Sequence, residues 1–123
     1  MTDNNYTLNV IIVDCENGIK EYKELYNRIR STVFAEELQN YHESFICSVE
    51  RLIDNLKDYL GHMYTCKWIK DEKLVCRPND LKDKLYPTVS ETATNVYSTI
   101  NSLVAIKDEF EYFIGKYPHK IQS

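Results

Sequence analysis

The stretch NVIIVDCENG, residues 9 to 18, decides the fold. Val10, Ile11, Ile12 and Val13 are β-branched in succession, Asp14 follows, and Asn17 stands three places further on. β-Branched side chains favour extended backbone. One reading is therefore a buried strand that delivers an acid to its C-terminal rim, and the other is one turn of a long helix. The period of the residues on either side separates the two.

Reading apolar positions onward from Leu8 gives Leu8, Ile12, Cys15, Ile19, Tyr22, Tyr26, Ile29 and Val33, in alternating steps of four and three. That is the spacing of a helical seam of the coiled-coil type. A second series runs Leu38, Tyr41, Phe45, Val49, Leu52, Leu56, Tyr59, Met63 and Cys66. A third runs Val89, Ala93, Val96, Ile100, Leu103, Lys107, Phe110, Ile114 and Tyr117, with Lys107 its only polar member. Three seams in one chain predict three helices of about 25 to 30 residues, each roughly 40 Å long.

Boundary chemistry supports this division. Thr88 with Glu91 three places on forms a capping box that predicts the start of the third helix. Gly115 followed by Pro118 predicts its end. Gly61 offers a stop for the second helix, whereas Met63 and Cys66 keep the period beyond it. Between the first two helices the only signal is a slip of phase between Val33 and Leu38. The segment from Thr65 to Pro87 is the least regular. It suits a small hairpin about Lys70-Asp71-Glu72-Lys73 and a short helix from Asp80 through Leu85, and it is where surface exposure is expected. The expected fold is all-α: an elongated antiparallel three-helix bundle, up-down-up, with an irregular linker carrying a short helix between helices 2 and 3, in one domain over residues 1 to 123.

Composition agrees. Three glycines and three prolines in 123 residues are few for an all-β chain, and 43% hydrophobic residues suffice for one core. The net charge is −4, with Lys and Arg spread along the chain, so no clustered basic face exists to displace counterions and nucleic acid is not the expected partner. No apolar run reaches the roughly 18 residues of a membrane span, and residues 1 to 8 lack the pattern of a leader. A cytoplasmic setting is expected, with Cys15, Cys47, Cys66 and Cys76 as reduced thiols and a Cys66 to Cys76 disulfide disfavoured.

The segment IIVDCENG resembles the opening strand of NYN and PIN-like ribonuclease domains, which ends in a metal-binding aspartate. That resemblance, over about eight residues of this short motif, implies Asp14 as a metal ligand and Asn17 as its neighbour. Such sites need further acids at the ends of later strands, and this chain has no later Val- and Ile-rich run ending in Asp. His62 and Cys66, at i and i+4 with Cys76 following, lack the fourth ligand of a structural zinc site. No Glu-x-x-His pair, zincin helix or glycine-rich phosphate loop is present. His42, His62 and His119 are expected at the surface or flanking a core face. No enzyme, cofactor, metal or small-molecule substrate is inferred.

The apolar excess remains. Val10, Ile11 and Val13 fall outside the seam of helix 1, as do Val104 and Ile106 in helix 3. A helix apolar on most sides is buried or awaits a partner, so these five residues are candidates either for contact with protein, a homodimer included, or for an extra core layer. Trp68, between lysines in the linker, is the favoured aromatic contact, the alternative being a cap on the bundle end. The expected function is a non-enzymatic interaction module, a subunit or adaptor of a larger assembly. The alternatives are a small regulator, viral or from a pathogen, that sequesters a host factor in a helical groove, and a PIN-like nuclease built on Asp14.

Overall fold

The computed structural model describes residues 2–66, 68–75 and 87–122. Three helices, α1 (Thr2–Ser31), α2 (Gln39–Thr65) and α3 (Val89–Lys116), pack against one another as a bundle. Residues 9 to 18 lie wholly within α1. The helical period therefore overrides the local β-branched preference, because the seam of α1 buries Leu8, Ile12, Cys15, Ile19, Tyr22 and Ile29 in one continuous core. The buried stripe is broader than the predicted seam. It also takes in Ile11 and Leu25 on α1, Ile53 on α2 and Phe113 on α3, as expected of a globular bundle rather than a narrow two-residue seam.

Two positions of the predicted seams face outward. Tyr41 is 62% exposed and Val33 is 43% exposed. Val33 leaves the helical period because the chain turns extended at β1 (Thr32–Phe34), which pairs antiparallel with β4 (His119–Ile121). A 3₁₀ turn, Glu36–Leu38, then leads into α2. The clasp of β1 on β4 brings the C-terminal ends of α1 and α3 together, so those helices run parallel and α2 runs back between their levels. Side-chain contacts fix the same register. Tyr97 donates to Asp14 at 2.6 Å and Arg28 pairs with Glu111, and both contacts span 83 positions. Asp14 and Arg28 are about four turns apart, so α3 keeps step with α1 along that length.

At the clasp end the last carbonyls of α1 find partners. The Thr32 hydroxyl donates to Arg28 O at 2.8 Å, the Gln122 N–H donates to Ser31 O at 2.6 Å, and Nε2 of His42 lies 2.7 Å from Ile29 O. His42, expected at the surface or flanking a core face, is buried beside the core. Its ring satisfies a carbonyl that helix geometry leaves orphaned and meets the Phe34 ring at 5.3 Å between centroids. Phe34, Phe45, Phe110 and Phe113 complete an aromatic cluster with edge contacts of 5.0 to 6.4 Å.

The opposite end is built differently. α2 continues past Gly61 to Thr65. It is followed by the hairpin β2 (Trp68–Lys70) and β3 (Lys73–Val75), whose turn is Asp71-Glu72 as the sequence indicated. Leu74 and Val75 are buried, Leu74 N–H donates to Pro87 O, and Val89 N–H donates to Glu72 O. The hairpin is thereby tied to the start of α3, where Thr88 and Glu91 form the capping box. The short helix expected at 80 to 85 lies outside the described residues. Gly115 does not cap α3. The helix runs through it to Lys116, no glycine has positive φ, and Pro118 ends the helix without it.

Candidate functional site

Among the six residues singled out for contact, the structure separates core from surface. Ile11 is 2% exposed and belongs to the core beside Leu8 and Cys15. It leaves the candidate surface, because positions 8, 11 and 15 share one helical face. Ile106 is half-buried against the same core. Val10, Val13, Trp68 and Val104 are 39%, 51%, 55% and 41% exposed.

Val10, Val13 and Val104 are related through the parallel register of α1 and α3. Val10 precedes Asp14 by one turn of α1, and Val104 follows Tyr97 by two turns of α3. The Asp14 to Tyr97 hydrogen bond joins those stripes at the rim of the helix pair. Tyr97 is itself 36% exposed. Its hydroxyl pKa is pushed up to about 12, by burial first and then by the carboxylate to which it donates. Tyr97 lies outside the third seam, among the tyrosines the sequence leaves for exposed positions. A signal for it exists: no residue from Thr92 to Ile106 carries charge, although exposed helix faces ordinarily do. The outer face of that run, with Thr94, Tyr97, Ser98, Asn101, Ser102 and Ala105, lines a shallow depression.

Asp14 is accordingly a bridging residue on the flank of α1, half-buried and engaged by Tyr97. The strand that a PIN-like site requires at residues 9 to 13 is helical here. Among the described residues, no group of three His, Cys, Asp or Glu side chains is placed to hold a metal ion. On the other flank of α1, Tyr64 donates to Glu16 at 2.5 Å, so neighbouring acids of α1 are clasped from opposite sides by tyrosines of α3 and α2. Farther along, a groove of about 330 Å³ between α1 and α2 is lined by Lys23, Tyr26, Asn27, Glu50, Ile53, Asp54 and Lys57. Its walls are bridged where Tyr26 donates to Glu50 at 2.8 Å.

The thiols divide as well. Cys15 is buried and donates to Leu56 O at 3.2 Å, and burial together with nearby Glu16 pushes its pKa up to about 11. Cys47 is free and exposed. Cys66, expected as a reduced thiol, is disulfide-bonded and fully buried at the end of α2. Cys76, weighed as its partner or as a zinc ligand, lies outside the described residues. A disulfide sulfur is no thiolate, which removes Cys66 from the metal site considered with His62. Nδ1 of His62 lies 3.7 Å from the Cys66 sulfur, and its Nε2 is buried with no partner among the described residues.

Among the described residues, no helix is long and apolar enough to cross a membrane. The class of molecule that fold and surface define is a three-helix bundle with uncovered apolar side chains along one helix pair. No family model, no curated protein and no solved structure matches the chain.

Proposed function

We propose that the chain is a non-enzymatic protein–protein interaction module, a subunit or adaptor of a larger assembly, that binds through Val10, Val13 and Val104 along the α1 and α3 rim and through Trp68 at the hairpin. The observation that carries this reading is the exposure of these side chains beside an uncharged helix face. Apolar groups left in water next to a face without charges lose solvent cheaply when a partner covers them. Tyr97 adds an aromatic anchor with a hydroxyl already oriented by Asp14. A second copy of the chain is among the partners that such a rim accommodates.

The α1 and α2 groove, edged by Lys23, Glu50, Asp54 and Lys57 over a lining that is mostly apolar, supports the second reading, a small regulator that holds a segment of another protein. The compartment is part of the proposal. A cytoplasmic module would carry the Cys66 bond as a reversible one, since disulfides there are transient or redox-sensing.

The test is a paired charge substitution, Val13→Lys with Val104→Lys, at positions exposed enough to leave the fold intact by circular dichroism. Sedimentation at low micromolar concentration and affinity purification from the native source should show wild-type chain in a complex, homomeric or heteromeric, that the variant loses. The same complex formed by the variant would overturn the reading.

A further inference from the structure

We propose that the pocket between α1 and α3 beside Tyr22 binds a small aliphatic ammonium ion, with the carboxylates of Glu21 and Glu24 and the Tyr22 hydroxyl as its partners. The site needs no protein partner and does not depend on the contact surface of the α1 and α3 rim.

Three observations converge on this pocket. The first is its make-up. It has a volume of about 240 Å³ and is lined by Glu21, Tyr22, Glu24, Leu25, Arg28 and Lys107. Sites for drug-sized ligands run from roughly 300 to 1,000 Å³, so this one suits something smaller. The second is the Tyr22 hydroxyl. Tyr22 is 3% exposed, yet its hydroxyl has no hydrogen-bond partner among the described residues. A buried tyrosine ordinarily finds one. Burial raises the pKa of this hydroxyl, and the charges of Glu21 and Asp108 raise it further. Those two acids stand one on each helix that walls the pocket, so the hydroxyl is turned toward the pocket and away from α2.

The third observation is the balance of charge. Arg28 lines the pocket, but both of its terminal nitrogens are committed to Glu111 and its guanidinium lies 5.5 Å above the Phe110 ring. Lys107 reaches Glu21 only at 4.0 Å, the outer limit of an ion pair. Glu24 and Asp108 have no ion-pair partner among the described residues. The acids Glu21, Glu24, Asp108 and Glu111 thus outnumber the cations Arg28 and Lys107 here, and the charge that the pocket lacks is positive.

The walls decide which cation. A metal ion of the calcium or magnesium kind wants several carboxylates converging on one point, and among the described residues no group of three such side chains is placed to hold one. An ammonium carries three donors, which two carboxylates and a phenolic oxygen can share. The Tyr22 hydroxyl then accepts from the ammonium and still has its own proton to donate to a carboxylate. The carbon chain of the ligand meets Leu25, the apolar member of the lining, and the tyrosine ring adds the attraction of its face for a cation.

The experiment titrates the full chain, labelled with nitrogen-15, with 1,4-diaminobutane at pH 7 and constant ionic strength, and follows the backbone amides. Shifts should saturate at residues 21 to 28 and at Lys107 and Asp108, with a dissociation constant of about 1 mM or tighter. Butan-1-ol, which has the chain without the charge, and acetate, which has the opposite charge, should not produce that saturation. Glu24→Gln should weaken binding by about tenfold, the usual worth of a hydrogen bond to a charged group. Tyr22→Phe removes only the hydroxyl and should weaken it by about threefold or more. Glu43→Gln removes the same charge from an exposed site on α2 and should leave the affinity unchanged, which separates the pocket from general attraction to a chain of net charge −4. Absence of saturation at these amides, saturation by acetate or butan-1-ol, wild-type affinity in Tyr22→Phe, or equal weakening by Glu43→Gln and Glu24→Gln would overturn the proposal. Glu24 is exposed, so its variant decides the matter even where Tyr22→Phe does not fold.

Discussion

The two ends of the bundle solve the same problem by different means. At the clasp end, three carbonyls of α1 are met by Thr32, His42 and Gln122, and four phenylalanines interlock beneath them. Beside the local Thr32 to Arg28 bond, the clasp itself joins residues far apart in sequence, as Val33 joins Lys120. At the hairpin end, two three-residue strands pair across a turn whose residues Asp71 and Glu72 both sit in the left-handed region. The difference teaches which end can move. Long-range packing that also meets the last carbonyls of a helix is lost when the whole bundle unfolds. A short strained element paired mainly with its sequence neighbours can open while the rest stays folded.

The largest expected effect tests that division. Phe110 is fully buried, touches the rings of Phe34 and Phe45, and carries the Arg28 guanidinium 5.5 Å above its face. Phe110→Ala should cost about 3 to 5 kcal/mol of global stability by urea unfolding. Leu74 is equally buried, and a Leu→Ala change in a rigid core costs about 2 to 5 kcal/mol. At Leu74 the loss should be smaller, because it is capped by the free energy of undocking the hairpin, and it should appear as lost amide protection in residues 68 to 75. If Leu74→Ala lowers the urea midpoint as far as Phe110→Ala does, the two ends are one cooperative unit and the comparison fails.

The same contrast governs what the sequence disclosed. The three helices were legible because a seam of 3 and 4 spacing is repeated many times within each, and the capping box at Thr88 and the turn at Asp71-Glu72 are signals within a few residues. The clasp was not legible. TVF at 32 to 34 and HKI at 119 to 121 are too short to show a period, and their pairing depends on where two helices happen to end. The role of His42 was hidden for the same reason, since the carbonyl it meets belongs to another helix. Of the candidate surface, the apolar excess of α1 and α3 pointed to Val10, Val13 and Val104, but counting apolar residues without their helical angle also drew in Ile11, which faces the core. The disulfide at Cys66 escaped because the thiols were assigned from an expected compartment, and burial alone does not separate it from Cys15, which is equally buried and free.

An alkaline titration sharpens the comparison at intermediate size. Burial raises the Cys15 thiol from 9.0 to about 11, and burial with Asp14 raises the Tyr97 hydroxyl from 10.0 to about 12. Both groups are neutral when protonated, so below pH 9 neither distinguishes folded from unfolded chain. Above pH 9 the unfolded chain releases these protons first, and stability falls as pH rises through the folded values. Urea midpoints measured from pH 8 to 11 should decline, and Cys15→Ala should flatten the decline between about pH 9 and 11. Because both groups lie in the half of the bundle nearer the hairpin, amides there should lose protection before those around Phe34. Simultaneous loss at both ends would again make the molecule one unit.

The smallest effect concerns the clasp end alone. Gly115 sits where a glycine cap was expected, yet α3 continues through it with negative φ and a Cβ built there meets nothing within 4 Å. Glycine inside a helix is less favourable than alanine by about 0.5 to 1 kcal/mol, because its unfolded backbone has more freedom to lose. Gly115→Ala should therefore raise stability by about that amount, read as a higher urea midpoint with an unchanged slope. A left-handed cap would give the opposite sign, since alanine is strained at positive φ. The sign of this one substitution thus tells whether the clasp is entered from a regular helix stopped by Pro118 or from a glycine turn. Only the former keeps α3 in step with α1 up to the strand that closes the bundle.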